Sequence, residues 1–502
     1  MLAVLFYCAC LGLMMTASLA GPIFVGLLNS EYDVALRLSI YLLLGGFLFA
    51  ALVLGILHRQ RRMPRIGRLA LVALVWLTLP LVAAIPIFDI SALNFSDSMF
   101  EAVSGLTTSG SSVIQTLETW PRALIFWRSQ LQWFGGYLWI ISLILIVAPL
   151  GIGGLTSHTR TLIAHSDQAQ VQRRMVQLAG RFAIIYVGST ALSFLAFFLT
   201  AVSASDAVLL AMAAISTGGF LPFETTLDQV LGRVGMVIFG LFLLLGATSI
   251  FWQSMLLGGE FKRLGRHRES YSIIALTIAL ALLVTVLIAT GSANEQGAIV
   301  TALAEGFLAA SSLVATSGVE SRPGVFALLP LVVVLFVVFL GASAYSTSGG
   351  IKHYRLGAMF VQSWGELDKL IYPNAVRSRH FGTATRDIEV MKAIWSFFLA
   401  TLLVIGLGTI IIASSGVEFE AALTATVVNF STAGPVYESG WAAPDMPDWP
   451  DYHAFSAASK WALMAVMLLG RLEVLAIFGL FSFSFWRTDW AERRVRPGSV
   501  AK

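Results

Sequence analysis

The sequence predicts an all-α polytopic membrane protein with about ten transmembrane helices. Two helices come first, and four helix–re-entrant loop–helix repeats then surround a central axis. Composition is one reason, since 57% of the 502 residues are hydrophobic and only 12% are charged, about half the charged fraction of a soluble domain. The others are the recurrence of long apolar windows and of a short motif between them. The composition excludes a soluble enzyme, a secreted disulfide scaffold and a nucleic-acid-binding protein.

Ten apolar windows are long enough to cross a bilayer as helices. In chain order they are 3–28, 36–57, 68–88, 127–150, 177–201, 233–257, 271–292, 325–365, 389–414 and 457–485. The first ends like a signal peptide, in Ala-Ser-Leu-Ala, but no basic segment precedes it, so we expect a retained helix. The eighth is interrupted by a glycine- and serine-rich stretch at 341–350.

The basic residues predict the orientation of these helices. Five stretches between or after windows hold 25 of the 32 Lys and Arg residues: 58–68, 151–181, 258–270, 352–392 and 487–502. By the positive-inside rule, both termini are cytoplasmic. Of the 28 Asp and Glu residues, 18 fall on the opposite side. This excess predicts an acidic outer vestibule that concentrates cations, although an ordinary solvated loop surface gives the same pattern.

Four apolar segments on the outer side are too short to span the membrane and are predicted to be re-entrant half-helices. They are 95–107, 204–215, 298–314 and 418–430. The first two begin with the cap-like pairs Ser96-Asp97 and Ser205-Asp206, which predict their N-termini.

Each half-helix leads into a small, hydroxyl-rich tetrapeptide that ends in glycine. The four are Thr107-Thr108-Ser109-Gly110, Ile215-Ser216-Thr217-Gly218, Ala315-Thr316-Ser317-Gly318 and Ser431-Thr432-Ala433-Gly434, and their glycines recur at intervals of 108, 100 and 116 residues. This indicates an internal fourfold repeat. Backbone at membrane depth is tolerated where it is buried or lines a water-filled path. Four such loops around a central pore would form a carbonyl ring that replaces a cation's hydration shell; helix packing through small residues is the alternative.

The repeats divide the chain into six predicted units. They are two N-terminal helices (1–60), pore repeat 1 (61–155), pore repeat 2 (156–260), pore repeat 3 with the 341–350 loop (261–370), pore repeat 4 (371–490) and a cytoplasmic tail (491–502).

In their order and spacing, these motifs resemble the Trk/Ktr/HKT superfamily of potassium transporters, specifically a bacterial Trk-type membrane subunit, over roughly residues 1–485. Further similar stretches are 132–136, 214–220, 346–352 and 467–473. The resemblance implies potassium uptake across the bacterial cytoplasmic (inner) membrane through one pore per protomer, without a bound cofactor. It implies that K⁺ binds at a filter made of Thr108, Ser109, Gly110, Ser216, Thr217, Gly218, Thr316, Ser317, Gly318, Thr432, Ala433 and Gly434. It also implies a lipid-embedded homodimer on a cytoplasmic ring of nucleotide-binding regulatory subunits.

The resemblance also implies that 341–350 is an intramembrane gating loop. A Gly/Ser break that lines a pore is able to occlude it and to shift on gating; a kink held by packing is the alternative. The expected gate residues are Gly341, Ser346, Thr347, Ser348, Gly349, Gly350, Lys352 and Arg471.

Arg471 lies within the last window, where a charge is costly and usually functional. We predict that it projects towards the pore axis, donates to carbonyls of the 341–350 loop and favours closure; a structural pairing with a distant carboxylate is the alternative. Glu473 points to a different helix face, so the two are not expected to pair. Lys352 either has a similar role or is a positive-inside anchor.

Some residues depart from the family pattern. Tyr437 and Glu438 are bulky and acidic after the fourth motif, and Tyr137-Leu138 follow Gly135-Gly136. These departures leave open the selectivity for potassium over sodium and the coupling to a regulatory ring. A sodium- or proton-coupled potassium symporter, or a weakly selective pore, is therefore the alternative.

Two other functional classes, a secondary transporter and an enzyme, fit the sequence less well. A secondary transporter of a small solute usually has two inverted repeats, not four in one orientation. An enzyme is not expected, since few ionisable groups lie in the windows, the seven histidines are scattered and Cys8 and Cys10 fit as buried apolar residues. The chain has no nucleotide-binding motif, so nucleotide control would come from a partner docked on 151–181 and 352–392.

Overall fold

The computed structural model describes residues 2–58, 65–144, 168–200, 202–265, 267–291, 298–371, 388–439, 441 and 449–472. The long and medium helices within these ranges are α1 (Leu2–Ser18), α2 (Ala20–Leu28), α3 (Tyr32–Ile56), α4 (Arg65–Ile90), α5 (Phe95–Leu106), α6 (Arg122–Ser142), α7 (Gln168–Phe198), α8 (Ala204–Ser216), α9 (Leu227–Ala247), α10 (Ile250–Leu257), α11 (Phe261–Leu264), α12 (Arg268–Gly291), α13 (Ala298–Ala315), α14 (Leu331–Leu340), α15 (His353–Ile371), α16 (Ile388–Ala413), α17 (Phe419–Phe430) and α18 (Ala457–Arg471). Short 3₁₀ turns and irregular loops connect them, and no strand occurs in the described ranges.

Seven helical segments of the described chain are long and apolar enough to cross a membrane. They are Leu2–Leu28, Tyr32–Ile56, Gly67–Ile90, Gln177–Phe198, Leu227–Ala247, Arg268–Thr290 and Val390–Ala413. The other three predicted windows fall on α6, on α14–α15 and on α18, whose described part is 15 residues long.

The four short helices predicted as half-helices are present at α5, α8, α13 and α17. They lie in the interior, because every residue of α5 from Asp97 to Leu106 is buried, as are nearly all those of α17 from Ala421 to Phe430. The long helices surround them with apolar side chains facing outwards; on α3, for example, Leu43 is 68% and Phe47 is 77% exposed. Such a surface suits contact with lipid.

The structure corrects two details of the predicted half-helices. The pairs Ser96-Asp97 and Ser205-Asp206 are not the caps. Instead, Asn94 Oδ1 accepts from the Asp97 amide at 2.9 Å, and Ser203 Oγ accepts from the Asp206 amide at 3.1 Å. In both helices the cap is the polar residue two positions before the predicted serine, which leaves each aspartate in the first turn, where the helix dipole favours an acid.

Two predicted spans are also divided. The first window forms α1 and α2, which meet at Leu19, and the sixth ends at Ala247, with α10 beginning at Ile250. The interruption of the eighth window is present, since α14 ends at Leu340 and α15 begins at His353. Glu473, the tail 491–502 and, in the two predicted docking loops, residues 151–167 and 372–387 lie outside the described residues.

Candidate functional site

The tetrapeptides that follow the four short helices are named loop 1 (107–110), loop 2 (215–218), loop 3 (315–318) and loop 4 (431–434). All twelve residues predicted for the filter are buried. In each loop one threonine has left-handed backbone: φ is 56° at Thr108, 51° at Thr217, 58° at Thr316 and 59° at Thr432. This conformation is strained for a β-branched residue. This threonine is the second residue of loops 1, 3 and 4 and the third of loop 2, so Gly219, and not Gly218, corresponds to Gly110. In every loop the amide of the next residue donates to the carbonyl five positions earlier, so the four loops share one backbone shape.

The glycine that ends each loop has no room for a side chain. A Cβ on Gly110 would lie 2.5 Å from Gly219 Cα, and one on Gly434 would lie 2.7 Å from the backbone nitrogen of Ser111. Gly110 is also left-handed, with φ of 77°. Glycine therefore permits both the turn and the close approach of neighbouring backbones.

The loops contact one another. The Gly434 amide of loop 4 donates to the Ser109 carbonyl of loop 1 at 2.8 Å, and Ser317 Oγ of loop 3 donates to the Gly218 carbonyl of loop 2 at 2.8 Å. A Cβ on Gly219, directly after loop 2, would lie 3.0 Å from the Ser317 carbonyl oxygen and 2.5 Å from a side-chain carbon of Pro435. The structure thus brings all four predicted motifs together.

Asn429 and Tyr452 join loops 1 and 4, and neither residue is among those predicted from the sequence. The Asn429 carbonyl oxygen accepts from Ser109 Oγ at 2.9 Å and from Ser111 Oγ at 2.6 Å. Its amide nitrogen donates to the Tyr452 hydroxyl at 2.9 Å, which donates to the Gly434 carbonyl at 3.0 Å. A buried polar network with these groups satisfied rigidifies its surroundings. An asparagine inside an apolar half-helix was the available signal.

Two further buried contacts hold the segments that follow loops 1 and 2. Glu101 pairs with Arg128 at 2.9 Å and accepts from the Val113 amide at 2.6 Å. Gln132, within a predicted family-like stretch, donates to the Phe220 carbonyl at 3.1 Å and accepts from the Phe220 amide at 3.2 Å. Arg128 is 3% exposed, and the buried carboxylate of Glu101 neutralises its charge.

Arg471 is 1% exposed and lies where three loops meet. Its planar guanidinium presents several donors in a fixed fork, and the predicted contact with carbonyls of the 341–350 loop is present. Its partners are the carbonyl oxygens of Thr107 at 2.7 Å, Thr347 at 2.7 Å and Ser348 at 3.2 Å, and the hydroxyls of Thr108 and of Thr432, the latter at 3.3 Å. In the described part of the chain no carboxylate pairs with it.

The 341–350 loop lies against the same loops. The Gly349 amide donates to Thr316 Oγ1 at 2.7 Å, and Thr217 Oγ1 lies 3.2 Å from Thr347 Oγ1. Lys352, 1% exposed, donates to the Ser348 carbonyl. This burial disfavours the simple anchor at a solvated surface. Of the predicted gate residues, Gly341, Ser346, Thr347, Ser348, Gly349 and Lys352 are buried and Gly350 is partly buried.

After loop 4, Tyr437 and Glu438, the two residues that depart from the family pattern, differ in their exposure. Tyr437 is buried, with its ring 5.5 Å from that of Trp449 and 5.0 Å from that of Tyr452. Glu438 is exposed. Loss of hydration beside the protein, together with the like charges of Asp451 and Glu101, raises the pKa of Glu438 to about 8. Above this pH the Glu438 carboxylate adds negative charge to the surface after loop 4.

Known proteins similar to this chain are transporters. The model of the family described as TrkH, cation transport protein, matches residues 58–250 and 270–485. The Trk system potassium uptake protein TrkH of Salmonella typhimurium is 31% identical over 426 residues, which are 83% of this chain and 85% of that protein. The TrkI protein of Halomonas elongata is 26% identical over 495 residues, which are 95% and 96% of the two chains.

The fold agrees with these similarities. The crystal structure of the potassium transporter TrkH from Vibrio parahaemolyticus superposes with a TM-score of 0.82 at 25% identity, over 97% of this chain and 99% of that one. The prediction of an all-α polytopic membrane protein is confirmed, and the prediction that the protein is not an enzyme is confirmed by its family. The family model matches most of the length of this multi-pass membrane protein, and the chain therefore belongs to the TrkH family of cation transport proteins.

Proposed function

We propose that this protein takes up potassium ions across the bacterial cytoplasmic membrane through a fourfold pseudosymmetric pore in which loops 1–4 are the selectivity filter. The observation that carries the proposal is the left-handed threonine in each of four mutually contacting loops. Non-helical backbone at membrane depth is tolerated where it lines an ion path. Strained backbone conformations, such as those of the four threonines, cluster at functional sites.

The chemistry of the loops suits a cation. The short helices α5, α8, α13 and α17 direct their C-terminal ends, which carry partial negative charge, at loops 1–4. Carbonyl and hydroxyl oxygens of these loops replace the water that a potassium ion loses on entry. Relatives named as potassium uptake proteins support K⁺ as the ion. A weakly selective pore or a coupled symporter has the same loop geometry, and ion competition separates these alternatives.

The gate in this proposal is the 341–350 loop with Arg471 and Lys352. Arg471 adds positive charge directly beside Thr108 of loop 1 and Thr432 of loop 4, which opposes a cation leaving the filter inwards. Its bonds to the Thr347 and Ser348 carbonyls hold the 341–350 loop in the same place. We propose that this arrangement is the closed state.

The remaining parts of the proposal concern the assembly. The protein would form a homodimer in the inner membrane with both termini cytoplasmic, as the distribution of Lys and Arg predicts. A cytoplasmic ring of nucleotide-binding subunits would dock on 151–181 and 352–392. The six predicted units, from 1–60 to 491–502, describe its domain organisation. Co-purification of a soluble nucleotide-binding protein would support the ring.

Potassium uptake is testable in proteoliposomes. The purified protein, reconstituted at a fixed protein-to-lipid ratio in potassium-loaded liposomes, is expected to take up radioactive rubidium from outside as the outward potassium gradient drives the exchange. Excess external potassium should compete more strongly than sodium. Equal competition by the two ions would favour the weakly selective pore, and absence of flux from a correctly folded protein would contradict the function. Rescue of a potassium-uptake-deficient bacterium at low potassium provides the test in cells.

The exposed Glu438 predicts a dependence on external pH. Since its pKa is about 8, the carboxyl is largely neutral at pH 7 and ionised at pH 9, which adds negative charge after the filter. Rubidium uptake at low ionic strength is therefore expected to rise about twofold over this interval. Glu438→Gln should remove most of the rise, and Asp451→Asn should shift its midpoint to lower pH because a like charge is lost. An unchanged rise in Glu438→Gln would contradict the prediction.

A further inference from the structure

The break between α9 and α10 lies beside the 341–350 loop. Thr248 and Ser249 have extended backbone, with φ and ψ of −79° and 156° and of −61° and 135°. Neither is glycine or proline, the usual causes of a break. In a continuous α-helix the Gly246 carbonyl would accept from the Ile250 amide four residues later. Here that bond is absent, so the Ile250 amide and the Gly246 carbonyl are available to bond to a neighbouring segment.

The 341–350 loop supplies the missing partners. The Ile250 amide donates to the Tyr345 carbonyl at 3.0 Å, and the Gly246 carbonyl accepts from the Thr347 amide at 3.3 Å and from Thr347 Oγ1 at 3.0 Å. The Ser343 amide adds a bond to the Ala247 carbonyl at 3.2 Å. The loop therefore occupies both ends of the hydrogen bond that would make α9 and α10 one helix.

The broken conformation has its own side-chain support. The Leu245 carbonyl accepts from Gln253 Nε2 at 2.8 Å and from Thr248 Oγ1 at 2.7 Å. Gly246 lies against α8, since a Cβ there would be 2.7 Å from the Ile215 carbonyl oxygen. The break is thus fixed on one side by polar caps and on another by the helix that leads into loop 2.

We propose that the break and the 341–350 loop form a reciprocal switch. When the loop withdraws, the Gly246 carbonyl and the Ile250 amide pair with each other and α9 and α10 become one continuous helix. Without this exchange, withdrawal would leave both groups unsatisfied at membrane depth, which is costly. With it, the Gly246 carbonyl and the Ile250 amide are hydrogen-bonded in both of two discrete arrangements of the loop. The inference rests on the proposed function, in which the loop is the gate.

Two variants bias the switch in opposite directions. Proline at 249 fits the broken state, because φ of −61° is that of proline and extended Thr248 is what the residue before proline prefers. It prevents the continuous helix, so Ser249→Pro is expected to lower rubidium flux about tenfold or more. The double variant Thr248→Ala, Ser249→Ala removes a cap and raises helix propensity, so flux is expected to rise about fivefold.

The control is Thr290→Ala, a substitution of the same kind at an exposed position of α12, which should leave flux unchanged. Gel-filtration profile and thermal stability in detergent report folding; Ser249→Pro should be at least as stable as the unmodified protein. Loss of flux in both break variants, or flux in Ser249→Pro equal to that of the unmodified protein, would overturn the switch. If the unmodified protein carries no cation, the proposed function fails and the switch with it, whereas normal flux in all variants refutes the switch alone.

Discussion

Replacement of Arg471 by glutamine is expected to raise rubidium flux about tenfold or more. Two unit positive charges about 5 Å apart, in an effective dielectric constant of about 20, repel each other by ~3 kcal/mol, and every ~1.4 kcal/mol is about a factor of ten. Water in the path screens part of this energy. Glutamine also removes most of the bonds from Arg471 to loop 1 and to the 341–350 loop, so the loop is held less firmly.

Arg471→Lys is the matched control, because it retains the charge and loses the fork of donors. Its flux should remain near that of the unmodified protein, whereas both variants should be destabilised by about 1–3 kcal/mol through carbonyls left without a donor. Flux through Arg471→Gln that is unchanged or lower, with an intact gel-filtration profile, would contradict the role of the charge. Equal increases in both variants would assign the effect to loss of the hydrogen bonds.

Replacement of Gly110 by alanine is expected to reduce rubidium flux by about a hundredfold. A left-handed φ of 77° costs an alanine ~1–2 kcal/mol. The new methyl group would also lie 2.5 Å from Gly219 Cα and 2.7 Å from Gly219 N. Since these neighbours are backbone atoms, either loop 1 or the segment after loop 2 must move, and a displaced carbonyl no longer coordinates an ion at the required distance.

Two further glycine variants make this result specific. Gly434→Ala should behave like Gly110→Ala through overlap with Ser111 and with the Ser109 carbonyl oxygen, without backbone strain, since Gly434 does not have a positive φ. Gly188→Ala, in α7, meets no atom within 4 Å and should retain full flux with equal or slightly greater stability. Normal flux and selectivity in Gly110→Ala would show that loop 1 does not line the ion path.

The sequence predicts the four short helices within one or two residues, because each is an apolar run of distinctive length between a polar start and a glycine-terminated motif. The prediction fails at the break after Ala247. Thr248 and Ser249 are not strong helix breakers, and the residues that take up the hydrogen bonds of Gly246 and Ile250 lie about a hundred positions later. Helix propensity depends on the local sequence, so it does not predict a hydrogen-bond partner this far away in the chain.

Only some residues of the candidate site can be predicted from the sequence. The loops and Arg471 are predictable because glycine, hydroxyl residues and a charge are unusual in apolar windows. Asn429 and Tyr452 are not, because their role depends on meeting across the fold. The burial of Arg128 likewise depends on Glu101, whose side chain reaches it only when α5 packs against α6.

The contacts between loops 1 and 4 have a consequence for biosynthesis. Ser109 is held by Asn429, 320 positions later in the chain, and by the amide of Gly434. Helices that enter the bilayer first must therefore wait for the last quarter of the polypeptide before their loops acquire the final hydrogen bonds. A nascent chain, or one truncated before Asn429, cannot form these bonds, so loop 1 reaches its final conformation only after the last quarter of the chain has been made.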